Sequence, residues 1–214
     1  SGDVGIGVVP EAWTAFNPVL RIKNASTGVG GTLAGSGVDN FRMFANTYYD
    51  GAYKRLDTGF ATQYGQESGA HVWSTAVTGA GASTITWSES MRIDASGNLL
   101  VGTTDTDPSA NSAGSTADNG VAITAVGEVR AARYLSTANS GAVGFFNRTG
   151  ADGDIVRFRK DGTTVGSIAA RGGDLVIRTG DTGIRFNDAS NAIMPHDATD
   201  VIDNQIDIGT SSYR

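Results

Sequence analysis

Two histidines, four glutamates and eighteen aspartates make up the acid–base and metal-ligating repertoire of this 214-residue chain, which contains no cysteine. His71 and His196 stand far apart and lack the HExxH or EF-hand spacing that gathers ligands on one metal. The absence of cysteine removes disulfides, thiolate metal sites and cysteine nucleophiles together. Neither a GxSxG elbow nor a phosphate-binding P-loop is present. Cleavage of a glycan would need two carboxyl groups, one acid and one nucleophile or base. The glutamates (Glu11, Glu67, Glu89 and Glu128) are scattered, and most aspartates sit beside Gly, Asn, Ser or Thr, where turns favour them. Asp152 and Asp154, flanking Gly153, come nearest to a pair, and for them too the turn reading outweighs the catalytic one. The expectation is a protein that is not an enzyme, with no catalytic residue, no metal and no cofactor.

Binding chemistry is better represented. Tyr and Trp stack on sugars through an apolar face and hydrogen-bond at a polar edge. Tyr48, Tyr49 and Tyr53 straddle an Asp50-Gly51 turn, where at least one ring is expected to be exposed, and they are the candidate receptor contacts. Phe41, Phe44, Trp73 and Trp87 are expected instead to fill a small core, because a glycine-rich β-module gains burial from large side chains. Arg157, Arg159 and Lys160 alternate with Val156 and Phe158 and read as a solvated strand face or as cross-strand partners for aspartate. His71 reads as structural and His196 as part of a loop, Pro195-His196-Asp197.

The elements that must position these groups are short strands and tight turns. The clearest is Met91–Thr104, MRIDASGNLLVGTT. Met91 and Ile93 alternate with polar residues, Ala95-Ser96-Gly97-Asn98 supplies turn chemistry, and Leu99 and Val101 resume the alternation. Its second half recurs as SGDVGIG at Ser1–Gly7 and as Gly173–Ile177. Ile123–Val129 echoes Ile93–Leu99, and Ile206–Thr210 echoes the exit. Composition agrees with strands: Val and Ile far outnumber Leu, and the 30 glycines are about twice the usual ~7 per cent share. Leu, Ile, Val and Phe together are close to the roughly 20 per cent below which chains fail to fold alone. This chain should therefore bury little by itself and complete its core against copies of itself. A net charge of −6 disfavours general nucleic-acid binding, and no apolar run approaches the ~20 residues of a membrane span. No signal peptide opens the chain, and both ends read as cut from a longer polypeptide.

In order, Glu11–Phe16 could form a helical turn, Val19–Lys23 is a strand, and Asn24–Asn40 reads as turns or a loop. Strands are expected at Phe60–Tyr64, Ala70–Ser74 and Ser83–Trp87. Thr103–Gly120 contains no large apolar residue and reads as a linker or surface loop. Glu128–Tyr134 could be a short helical piece. Strands resume at Ile155–Lys160, Thr163–Ile168, Leu175–Arg178 and Ile184–Asn187, and the pattern weakens from Met194 to Asn204. This gives four parts: a repeat and shaft segment over 1–40, an aromatic β-module over 41–104, a linker over 105–120 and a β-rich shaft over 121–214.

Several of these stretches together resemble bacteriophage tail-fibre and tailspike proteins. SGDVGIG with PEAW, and MRIDASGNLLVGTT in full, look like the recurring unit of that family. NTYYDGAYKRLDTGFATQYGQESGAHVW resembles an aromatic module that precedes the unit. DGDIVRFRKDGTTVGSIAARGGDLVIRTGDTGIRFND with IDIGTSSYR resembles the stretch upstream of a self-cleaving intramolecular chaperone. The resemblance implies an all-β, elongated and intertwined homotrimeric fibre with little helix, on the outside of a virion, used in host attachment. Its partners would be two sister chains, a host cell-surface glycan or protein receptor, and other virion tail proteins, with no nucleic acid and no membrane insertion. Met91, Ile93, Leu99 and Val101 would then face sister chains across a three-fold axis. The alternatives are a tailspike fragment that degrades polysaccharide and a non-viral trimeric surface adhesin.

Overall fold

β-branched runs punctuated by glycine turns produce a structure made almost wholly of strands. The computed structural model describes residues 4–6, 19–23, 30–35, 39–111, 119–136 and 141–197. Contacts divide the chain into two units, Ser1–Val143 and Gly144–Arg214. The boundaries expected after residues 40, 104 and 120 all fall inside the first of them.

The first unit runs through β1 (Val4–Ile6), β2 (Val19–Lys23), β3 (Gly30–Gly35), β4 (Asn40–Ala45), β5 (Thr47–Tyr49), β6 (Tyr53–Arg55), β7 (Gly59–Glu67), β8 (Ala70–Gly79), β9 (Ser88–Ile93), β10 (Leu99–Val101), β11 (Gly120–Ile123) and β12 (Val129–Ala132). Ten of these form one sheet in the order β1-β2-β3-β4-β7-β8-β9-β10-β11-β12, and β5–β6 form a separate hairpin. β1 and β2 are parallel; the remaining pairs in the sheet are antiparallel. The second unit is an antiparallel meander of β13 (Gly153–Lys160), β14 (Thr163–Arg171), β15 (Asp174–Thr179), β16 (Thr182–Asn187) and β17 (Ala192–His196), paired in chain order.

The MRIDASGNLLVGTT hairpin forms as its pattern predicts. Met91 faces Val101 and Ile93 faces Leu99. Its turn is closed by Asp94, whose Oδ1 accepts the Ser96 and Asn98 N–H groups at 2.9 Å and whose Oδ2 accepts the Asn98 side-chain amide at 2.8 Å. These bonds, those from Asn98 first, hold the Asp94 carboxyl below its usual range. Gly97 adopts φ 87°, a left-handed conformation that glycine takes without strain. The echo at Ile123–Val129 is a structural copy: Ile123 faces Val129, Thr124 takes the place of Asp94, and Gly127 has φ 89°. The two turns are joined, because Asn98 Oδ1 accepts the Ala125 N–H at 2.9 Å.

The core of the first unit lies between the large sheet and the β5–β6 hairpin folded over it. Ala34 and Phe44 are buried beneath Tyr48, Tyr49, Tyr53 and Trp87, and Ala61, Ala76 and Ile85 form an adjoining cluster under Tyr53 and Trp87. Arg55 pins this layer. It is only 4% exposed, and it donates from Nε to the Gly59 carbonyl at 3.0 Å, from Nη1 to Ser83 Oγ and the Thr84 carbonyl, both at 3.1 Å, and from Nη2 to the Val77 carbonyl. The glycine at 79 is required by this packing, since a Cβ there would lie 2.7 Å from the Arg55 guanidinium carbon.

Four local expectations are corrected and one loop is seen in more detail. Asn24–Asn40 is not all loop: Gly30–Gly35 is β3, with Thr32 and Ala34 buried, because small side chains fit beneath the hairpin. Ser83–Trp87 is not a strand but a crossing segment tied to β6 through the bonds Ile85 N–H to Tyr53 O and Arg55 N–H to Ser83 O. Glu128–Tyr134 contains strand β12 rather than a helix, since pairing with β11 outweighs local propensity. The surface loop expected over Thr103–Gly120 is present at residues 103–111, which form a bonded loop with one 3-10 turn, Pro108–Ala110, gripped by Arg130 at the Thr106 carbonyl and at Asp107. His196 ends strand β17 and is buried. The turn expected at Glu11–Phe16, the repeat echo at Ile206–Thr210 and both chain ends lie outside the described residues.

Candidate interaction surface

Residues paired across a sheet share a face, so the register turns ten separate sequences into continuous rows. One row reads Val4, Leu20, Leu33, Met43, Tyr64, Trp73, Met91, Val101, Val121 and Ala131, one residue from each strand of the large sheet. The row beside it reads Phe41, Gln66, His71, Ile93, Leu99, Ile123 and Val129 from β4 to β12. Both rows lie on the face turned away from the aromatic core. Met43, Val101 and Ile123 are 47%, 43% and 41% exposed in the single chain. No charged side chain stands in either row.

The charges have gone to the other face. Arg42 pairs with Glu67 and donates to Gln63 Oε1 at 3.1 Å. Arg92 holds Glu89 through two bonds of 2.6 Å, and Arg130 pairs with Glu128. Arg92 and Arg130 alternate with the large apolar residues of β9 and β12, and Arg42 alternates with Phe41 and Met43 of β4, while Phe44 shares the Arg42 side and enters the core.

The second unit repeats this division. Ile168, Ile177, Ile184 and Pro195 form one row, Ala170, Leu175, Phe186 and Ile193 another, and Phe158, Ile177 and Ile184 line an open apolar hollow. The opposite face carries Asp154 between Arg157 and Arg178 and Asp174 against Arg185.

The four residues expected at a chain–chain core, Met91, Ile93, Leu99 and Val101, lie together in the two rows, each neighbouring another across the β9–β10 pair. The tyrosines are placed differently from the expectation that one would stand open. Tyr48, Tyr49 and Tyr53 are all half-buried against Phe44, with Tyr53 5.4 Å from the Phe44 ring and 6.0 Å from Trp87. Burial raises the Tyr53 phenol above its usual pKa. The predicted core quartet also divides. Phe44 and Trp87 join the core, but Phe41, three residues from Phe44 on β4, points to the opposite side, and Trp73, paired with Tyr64 and Met91, lies on that same face. Trp73 instead lies beside Tyr64 and His71, with ring centroids 5.1 and 6.4 Å away, and the Tyr64 hydroxyl is 2.5 Å from His71 Nδ1.

As acid–base candidates, Asp152 and Asp154 are engaged structurally. Asp152 Oδ2 accepts the Gly172 N–H at 2.7 Å. Asp154 is held down to about 2 by hydrogen bonding from Ser167 and by Arg157 and Arg178, so near neutrality it is a carboxylate with no proton to donate. No group of three or more His, Asp or Glu side chains able to hold a metal occurs among the described residues. No helix is long and apolar enough to cross a membrane among the described residues.

The sidedness of the sheets was missed in the sequence because it is a property of the pairing register. The signal that could have found it is the parity of the charges: in β9 and β12 each arginine is out of phase with the large apolar residues, and in β4 Arg42 is out of phase with Phe41 and Met43. No protein-family model, no curated protein and no solved structure matches this chain.

Proposed function

We propose that this chain is a structural and adhesive segment of a bacteriophage tail fibre, homotrimeric and external on the virion, that serves host attachment by multivalent, non-catalytic binding. The observation that carries the reading is the charge-free apolar face of the ten-stranded sheet. At about 4.8 Å per strand and two rows wide, it covers roughly 600 Å², the upper end of what soluble monomers leave open. Sister chains are a fitting cover, because a face made of hydrocarbon and a few uncharged polar groups is complementary to itself. Burial would supply the core that a chain so rich in glycine lacks, and the sequence resemblance supplies the trimeric number. Three weak receptor contacts held on one fibre gain avidity when a host surface engages them together. The receptor would be a cell-surface glycan or protein, and other tail proteins would hold the remainder of the fibre.

The deciding measurement is the mass in solution by light scattering. Three times the 22.0 kDa chain mass is expected; a stable folded monomer refutes the architecture.

A further inference from the structure

Phe145 and Phe146, side by side in the second unit, are the two most exposed aromatic residues among those described, at 80% and 75%. They lie in a stretch without regular secondary structure and belong to none of the apolar rows. One apolar side chain in water is ordinary, but two adjacent phenyl rings present about 300 Å² of hydrocarbon at a single point.

Arg148 fixes where they stand. Its Nε donates to the Ala151 carbonyl at 2.7 Å and its Nη1 to the Asp154 carbonyl at 3.5 Å, which holds the pair near the start of β13. The open apolar hollow of the same unit lies toward the other end of that strand. Its walls are Phe158, Val165, Ile177 and Ile184, each close to half exposed, with Thr179 and Thr182 beside them. Phe158 is four residues beyond Asp154, about 13 Å along the strand. Neither Phe145 nor Phe146 is among the residues that line the hollow. One chain thus carries an uncovered apolar pair and an unfilled apolar hollow that do not meet.

The two agree in size and character. The hollow encloses about 540 Å³. A dry apolar cavity of about 150 Å³ holds one benzene, so there is room for both rings. Gly144-Phe145-Phe146-Asn147 carries no charge, and the four walls are hydrocarbon.

We infer that the Phe145–Phe146 pair of one copy of this chain seats in the Phe158–Ile177–Ile184 hollow of another. The inference rests on the proposed assembly of sister chains, but it assigns a contact between unlike surfaces, separate from the face of the large sheet. In a three-fold assembly each chain gives one pair and receives one, so no hollow stays open. Counting both sides, one such contact covers about 600 Å², half of the roughly 1,200 Å² of a stable interface. It therefore reinforces and orients an assembly that the large sheet creates.

The test replaces Phe146 by the photoreactive analogue p-benzoylphenylalanine in the full chain, which keeps an aromatic ring at an exposed position. The sample is checked by circular dichroism, its mass is measured by light scattering, and it is then irradiated. Denaturing electrophoresis should show a product of two chain masses, and mass spectrometry should find the probe attached to the peptide that carries Ile177 or Ile184. Adding Ile184→Asp should cut that product about tenfold, because a charge enters an apolar contact. A three-chain mass with no attachment in the hollow overturns this inference and leaves the assembly standing. A one-chain mass removes both. Attachment to the hollow without doubling of the mass means that each chain fills its own hollow, and a doubled product that Ile184→Asp leaves undiminished places the pair elsewhere; either result overturns the inference.

Discussion

Placing one charge on the apolar face tests the proposed assembly more sharply than any truncation. Val101 is the choice because it sits in the ten-strand row between Met91 and Val121 and is 43% exposed in the single chain. In an isolated chain, Val101→Asp puts a carboxylate into water, and a surface change of this kind alters stability by less than about 0.5 kcal/mol. In a trimer whose chains meet on this face, three carboxylates are taken out of water. The rows offer no cation to pair with them, since no charged side chain stands there. The effective cost of a buried unpaired ion is several kcal/mol. At about 3 kcal/mol per chain, three copies remove roughly 9 kcal/mol from assembly, or about six orders of magnitude in its equilibrium constant. Light scattering should therefore show wild-type protein at three chain masses and Val101→Asp at one, with the same circular dichroism. A Val101→Asp protein that keeps the wild-type mass shows that this face is not the contact between chains.

Two further perturbations examine the interior. Arg55→Met removes the donors to Gly59, Ser83, Thr84 and Val77 and leaves their acceptors beneath the hairpin without a partner. Urea unfolding should show a loss of about 3 kcal/mol, and a loss below about 1 kcal/mol would mean that water replaces the guanidinium at little cost. The Asp154 carboxyl, held to about 2 in the folded chain against 3.8 when unperturbed, contributes stability that is complete above about pH 4 and lost as pH falls toward 2. Asp154→Asn should be less stable than wild type at pH 7, with the difference closing across that window in acid unfolding. A constant difference from pH 7 to pH 2 would contradict the assignment.

Local pattern carried some of these features and not others, for identifiable reasons. The MRIDASGNLLVGTT hairpin and its copy at Ile123 were legible because alternation and turn chemistry are both written within a dozen residues. The Asp50-Gly51 hairpin was legible for the same reason. Strand β3 was not, since GGTLAG has neither β-branched density nor strong alternation and becomes a strand by lying between β2 and β4. Strand β12 was masked by residues that favour helices, and partnership with β11 decided the outcome. Phe41 and Phe44 were grouped by type, although their odd separation sends them to opposite faces. His196 looked like a loop residue beside proline, and its burial depends on β13–β15, far away in sequence.

The bond from Asn98 Oδ1 to the Ala125 N–H has a consequence for how such a chain can change length. It aligns two successive turns at one end of the sheet, so each hairpin offers the next a ready docking edge with the same side facing the same way. Duplicating or deleting a whole hairpin would lengthen or shorten the sheet by two strand widths, about 9.6 Å, and leave the apolar rows in phase. A single-residue insertion within a strand would instead turn the following residues inside out. The architecture therefore accepts changes in units of whole hairpins and resists changes in units of one residue, which makes gene-level duplication its least disruptive route to a longer or shorter molecule.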